Sequence, residues 1–150
     1  MRIFRSILPL ILVLVTTFLV SCGSPTVSAP PTYTPAKLQQ IKTYRIPVDV
    51  AQQRMAELGQ YIQAKDWVDT ESFIHGPLGL IRRDMTYLAN SLLPEDKEKA
   101  TELAKEVFDG LEELDAAAKE KSYTSAIQKY GQVVRNLNSY LELLPKSEAS

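Results

Sequence analysis

Apolar residues recur at spacings of three and four along most of the chain. Val48, Ala51, Met55, Leu58 and Ile62 form a first stripe, and Pro47 just ahead of it suits a first helical position. Trp67, Ile74, Leu78, Ile81, Met85, Leu88 and Leu92 form a second. Asp66 stands where an N-cap is needed, and Asp69 and Glu71 fall in the early turns, where carboxylates complement the helix dipole. Pro77 has no N–H for the Phe73 carbonyl and its ring crowds that oxygen, so a kink or short break is predicted between Phe73 and Pro77. Leu93-Pro94-Glu95-Asp96 stops the second helix and starts a third, which carries Ala100, Leu103, Val107, Leu111, Leu114 and Ala118. The pattern resets at Lys121-Ser122. Ile127, Tyr130, Val134, Leu137, Leu141 and Leu144 then make a fourth stripe, ended by Pro145.

No segment alternates with period two for long, so the fold class is all-α. A connection of a few residues cannot carry the chain back along a helix of ~30 Å, which forces neighbouring helices antiparallel. The expected architecture is an up-down-up-down antiparallel four-helix bundle over residues 47–145, with a polar tail at 146–150. Ala116, Ala117 and Ala118 would let a second helix approach the third closely. A short helix is predicted over Lys37 to Thr43, ahead of the bundle.

The first 21 residues break this pattern. Arg2 and Arg5 precede a nearly unbroken apolar run from Ile7 to Val20, too short to cross a ~30 Å hydrocarbon core comfortably. The run ends in Leu19-Val20-Ser21-Cys22, which resembles the bacterial lipobox: a branched residue three before the cysteine and a small one directly before it. Residues 1–21 are therefore expected to be a lipoprotein signal peptide, with Cys22 lipidated as the first mature residue. The competing reading is an ordinary signal peptide or short anchor with a coincidental cysteine. Each acyl chain, palmitate for example, buries methylenes at ~0.8 kcal/mol apiece, so two or three chains hold a protein on a membrane almost permanently. Residues 22–46 are expected to form the lipidated N-terminus and a Pro-rich tether. Four prolines between Gly23 and Pro35 favour extended, polyproline-like chain.

Composition narrows the function mainly by exclusion. Without Arg2 and Arg5 the 17 basic residues fall to 15 against 18 acidic, a net charge of −3, which argues against nucleic acid or another polyanion as a partner. One cysteine cannot form an internal disulfide, and one histidine cannot build a His-rich metal site. A di-iron bundle needs Glu-x-x-His on two helices, and no glutamate stands three residues before His75. Glu71 and His75, four apart, could share only an adventitious zinc. The sequence holds no Gly-x-Gly-x-x-Gly, Walker A or Gly-x-Ser-x-Gly motif, so no enzyme, cofactor or small-molecule substrate is expected.

Arg82-Arg83-Asp84 follows the proline break and can present a guanidinium pair on the exterior, with Ile81 and Met85 facing inward; the plainer reading is a solvated face with i, i+4 partners. Trp67 reads first as packing at the bundle end and second as a partner anchor. His75 reads as hydrogen-bonded or stacked beside Gly76-Pro77.

Several segments in order carry a family resemblance: the lipobox, the Pro-rich tether, Asp66-Trp67-Val68-Asp69-Thr70, Phe73-Ile74-His75-Gly76-Pro77-Leu78-Gly79, Arg82-Arg83-Asp84-Met85, Ser91-Leu92-Leu93-Pro94 and Leu111-Glu112-Glu113-Leu114-Asp115-Ala116-Ala117. Together they resemble the cyanobacterial PsbQ-like lipoproteins over essentially the whole chain. The resemblance implies a non-catalytic extrinsic subunit of photosystem II, lipid-anchored on the lumenal side of the thylakoid membrane, that stabilises the oxygen-evolving assembly. It implies CP47 and PsbO as neighbours. It carries over Cys22 as the lipidation site, and Trp67, His75, Arg82, Arg83 and Asp84 only as a recognisable segment and partner-binding candidates. A generic envelope or periplasmic lipoprotein with a protein-binding bundle, and a small metal- or ligand-binding bundle, are the competing expectations.

Overall fold

A computed structural model describes residues 31–145, and among these the regular elements are all helices. The expected signal peptide 1–21, Cys22, the tether up to residue 30 and the tail 146–150 lie outside the described residues. The helices are α1 (Pro35–Ala64), α2 (Trp67–His75), α3 (Ile81–Asn90), α4 (Pro94–Lys119) and α5 (Tyr123–Leu143).

Helix α1 begins earlier than the apolar spacing predicts. Thr34 caps it, its hydroxyl oxygen accepting from Lys37 N at 3.3 Å, and Pro35 occupies the first turn. Pro47, expected to start the helix, lies inside it. An interior proline costs a helix one hydrogen bond, but Thr43, whose carbonyl loses its donor, is exposed to water. Ile41 is buried one heptad before Val48, so the core extends past the proline and holds both sides of it. The Lys37–Thr43 turn is therefore part of α1, which is continuous from Pro35. At the other end Lys65 adopts a left-handed φ of 57°, with Lys65 N donating to Ile62 O and Asp66 N to Tyr61 O. Lys121 repeats this geometry after α4, at φ 54°.

Asp66 caps α2 as predicted, Oδ1 accepting from Asp69 N at 3.1 Å. The break is longer than expected, running from Gly76 to Leu80. The Phe73 carbonyl that Pro77 cannot serve accepts instead from Leu78 N at 3.2 Å, and Gly79 N and Ile81 N close two further turns onto Gly76 O and Leu78 O. Pro94 opens α4 with Glu95 and Asp96 in its first turn.

Helix α1 packs on α2, α3 and α5, and α4 packs on the same three. Contacts of α2 and α3 with α1, and of α2 and α3 with α4, run in opposite senses: Tyr61 with Phe73 and Tyr44 with Tyr87, His75 with Asp115 and Arg82 with Glu112. Across α1 and α5, Gln52 meets Asn138 and Met55 O accepts from the Tyr130 hydroxyl.

The first three stripes are buried as their spacing predicts, apart from half-buried Trp67 and Leu103. The fourth keeps Leu137, Leu141 and Leu144 buried as predicted, but its first half is turned by one residue. Ile127, Tyr130 and Val134 are half-buried, whereas Ala126, Val133 and Tyr140 are buried beside Leu137 and Leu141. The close approach of α4 and α5 decides this: a Cβ on Gly110 would stand 2.8 Å from Val133 Cγ2. Of the three alanines on α4, Ala117 and Ala118 are buried and Ala116 is exposed. Tyr140 is fully buried, and its hydroxyl crosses the core from α5 to donate to Met85 O on α3 at 2.7 Å. Burial pushes this phenol's pKa up, so it stays a donor.

These positions set the expected stabilities. Leu88→Ala and Leu137→Ala each remove a fully buried side chain and should cost ~2–5 kcal/mol. Tyr140→Phe, which removes a buried hydrogen bond across the core while the Met85 carbonyl keeps its place in the helix ladder, should cost ~0.5–1.5 kcal/mol. Exposed Lys97→Ala should be nearly silent. Denaturant unfolding of the four variants checks the ranking, and equal midpoints would refute it.

Candidate functional site

The break between α2 and α3 gathers a cleft of about 180 Å³ against α4. Gly79 lines it and must be small, because a Cβ there would stand 2.4 Å from the His75 carbonyl oxygen. Ile74, Leu78 and Ile81 supply apolar walls from the broken segment, and Phe108 and Leu111 supply them from α4. All five are buried, so the floor is core and the opening is rim.

The rim is charged. His75 ends α2, where the dipole favours a cation, and its Nε2 lies 2.8 Å from Asp115 Oδ1. Lys119, one turn further along α4, donates to the other oxygen of Asp115 at 2.5 Å. Desolvation alone would raise the Asp115 carboxyl, but hydrogen bonds from Lys119 and His75 outweigh it and hold the group below the usual carboxylate range. Arg82 stacks its guanidinium 4.4 Å from the centre of the Phe108 ring and donates through Nη2 to Glu112 Oε1 at 2.6 Å.

Of the residues the sequence singles out, His75 and Arg82 meet on this cleft. Arg83 donates through Nε and Nη2 to Asp84 Oδ1 at 3.0 and 2.9 Å, so these two pair with each other beside it. Trp67 stands apart at the start of α2, half-buried against the core. Sequence reasoning did not assign Phe108, Glu112, Asp115 and Lys119 to the site, although the i, i+4 spacing of Asp115 and Lys119 and the Leu111–Ala117 segment mark that stretch. Glu71 and His75 gather no third metal-type ligand: among the described residues no group of three or more His, Cys, Asp or Glu is placed to hold an ion. An apolar floor inside a rim of both signs suits the side chains of another protein.

The family described as PsbQ, oxygen evolving enhancer protein 3, matches residues 4–145 of the chain. The protein CyanoQ of Synechocystis sp. is 52% identical over 144 residues, which cover 95% of this chain and 97% of that one. The chloroplastic oxygen-evolving enhancer protein 3 of Spinacia oleracea is 30% identical over 95 residues, covering 63% of this chain and 41% of the plant protein. Its counterpart in Chlamydomonas reinhardtii is 33% identical over 86 residues, covering 57% and 43%. The matched region thus spans less than half of each chloroplast protein.

The Asp115 cluster predicts a pH dependence. A carboxyl whose folded pKa is depressed contributes stability above its unfolded pKa, and that contribution is lost as pH falls through the folded value. Asp115→Asn should therefore melt below the parent at pH 7, and the gap should close as pH falls below about 4. Thermal midpoints across that range check it; a gap that persists undiminished in acid would show that the ion cluster is not its source.

Proposed function

The chain belongs to the PsbQ family, and we propose on that premise that it is a non-catalytic extrinsic subunit of photosystem II. In this reading it sits on the lumenal side of the thylakoid membrane and stabilises the oxygen-evolving assembly through protein–protein contacts. The observation that carries the reading is the 52% identity to CyanoQ over nearly the full length of both chains.

The rest of the proposal follows the physical reading. The helices form an up-down-up-down four-helix bundle in which α2 and α3 together make the second rod; their sharing of α1 and α4 as neighbours supports this. Residues 1–21 are a signal peptide and Cys22 carries the lipid. No helix among the described residues is long and apolar enough to cross a membrane, and the proposal gives membrane attachment to the acyl chains on Cys22. CP47 and PsbO are the proposed neighbours. The cleft beside the break, with Arg82 on its rim and Arg83 next to it, is the proposed docking element. Anchoring raises the effective concentration at a membrane complex, so a small interface suffices.

Two experiments test this reading. A tag on this chain should bring down photosystem II that still evolves oxygen, and the combined Arg82→Glu and Arg83→Glu variant should be retained less, with the larger loss at low salt. Both side chains are more than half exposed, so the circular dichroism should stay native. Undiminished occupancy at every salt concentration would sink the docking face. Cys22→Ala should leave an unprocessed precursor or a freely soluble protein, and mass spectrometry finding an unmodified Cys22 thiol in the membrane-bound parent would refute the anchor.

A further inference from the structure

Helix α4 carries the excess acid of this molecule. Within Pro94–Lys119 nine acidic residues stand against four basic, a net charge of −5, while the other described residues hold ten basic against eight acidic. Three of the nine hold neighbouring elements. Asp96 accepts from the Tyr33 hydroxyl at 2.6 Å, which in turn accepts from Leu93 N at 3.2 Å, and Glu112 and Asp115 belong to the cleft.

The other six form a row. Glu95, Glu98, Glu102, Glu106, Asp109 and Glu113 follow at spacings of three and four, all exposed, on the side of α4 turned away from buried Ala100, Ala104, Val107 and Leu111. The row runs for ~27 Å, about one carboxylate per ~5.4 Å turn. Asp109 pairs with Lys105, and Glu113 with Lys129 at 2.6 Å. Glu95, Glu98, Glu102 and Glu106 take part in no ion pair among the described residues, although Lys97 and Lys99 stand in the same turns. Like charges four apart, as at Glu98, Glu102 and Glu106, oppose a helix. A merely solvated face intersperses both signs, so neither stability nor solubility accounts for this one.

Near its start the row meets a groove of about 570 Å³ between the end of α3 and the first turns of α4. Asn90 lines one side, Leu92 and Pro94 give an apolar wall, and Thr101, Glu98 and Glu102 line the side toward the row. Lys97 is the one cation on its rim.

Charge selects the occupant. Anionic headgroups and nucleic acid are repelled by such a face. A chelated metal ion finds no group of three or more His, Cys, Asp or Glu placed for it among the described residues. A line of cations at the same interval matches, and a second helix laid along α4 supplies it with one lysine or arginine per turn, leaving an apolar side chain for the groove.

We propose that the groove at the start of α4, continued by the row from Glu95 to Glu113, is a docking surface for a basic amphipathic helix of another protein. An apolar side chain of that helix sits against Leu92 and Pro94, and its cations meet the four unpaired glutamates. The surface stands without the function proposed above.

The test replaces Thr101 by photoreactive benzoylphenylalanine in the full chain, made in its own cells, with Gln53 on the exposed side of α1 replaced in the same way as a control. Illumination should join position 101, and not position 53, to a segment of another protein whose sequence carries lysine or arginine at spacings of three and four. Glu98→Gln with Glu102→Gln and Glu106→Gln should cut that yield about tenfold and should melt no lower than the parent at low salt, since repulsion within α4 is relieved. Glu57→Gln with Asp69→Asn and Glu142→Gln removes the same charge elsewhere and should leave the yield largely unchanged. No adduct at position 101, an adduct with lipid, with a second copy or with a segment lacking those cations, or equal loss in both triple variants would overturn the proposal. A lower melting point of the first triple variant would give the row a structural role and equally overturn it. A basic segment from outside photosystem II would leave this surface standing and count against the proposed function, so the two fail separately.

Discussion

One missing hydrogen-bond donor shapes the side of the molecule on which the cleft lies. Pro77 cannot serve the Phe73 carbonyl, and a buried carbonyl must find a partner. Leu78 N supplies it, one residue further on than a regular helix would, and the chain needs the whole turn from Gly76 to Leu80 before α3 starts. Leu78 and Gly79 of that turn line the cleft directly. The same turn leaves His75 at a helix end, with Asp115 opposite it. Restoring a donor at position 77 would alter the floor, the rim and the ion cluster together.

Among the described residues the interior is almost wholly apolar. Thr70 and Ser91 are its buried polar residues, and both close their hydroxyls onto their own helices, on Asp66 O and Leu88 O at 2.6 Å. No buried side-chain polar atom among the described residues lacks a partner. Tyr140 does more, because its hydrogen bond links elements that face each other across the core rather than neighbours. The ion pairs lie outside and are worth ~0–1 kcal/mol each when exposed, so they orient contacts more than they hold the fold.

How much of this could be read from sequence depends on the range of each interaction. Spacing of three and four reports one face of one helix, so Val48 to Ile62 and Ile74 to Leu92 were legible. It fails where two adjacent residues compete for the same place, as with Val133 and Val134, because the contact at Gly110 that settles the matter lies on another helix. Pro47 misled for a different reason. A proline at a helix start and one on a hydrated interior turn look alike, and only the burial of Ile41 separates them. The partners of His75 and Arg82 stand 40 and 30 residues away, beyond any local pattern. The break, by contrast, was visible, since it follows from the covalent structure of one residue.

Tyr33 has a mechanical consequence. Any pull on the N-terminal segment reaches the bundle first at the Tyr33 hydroxyl, which is tied to Asp96 and Leu93, the latter just ahead of α4. The load is therefore shared between α1 and the start of α4 instead of peeling α1 from its first turn. Those two helices do not pack on each other but share α2, α3 and α5 as neighbours, so a pull taken at one side chain is spread through both to the rest of the bundle.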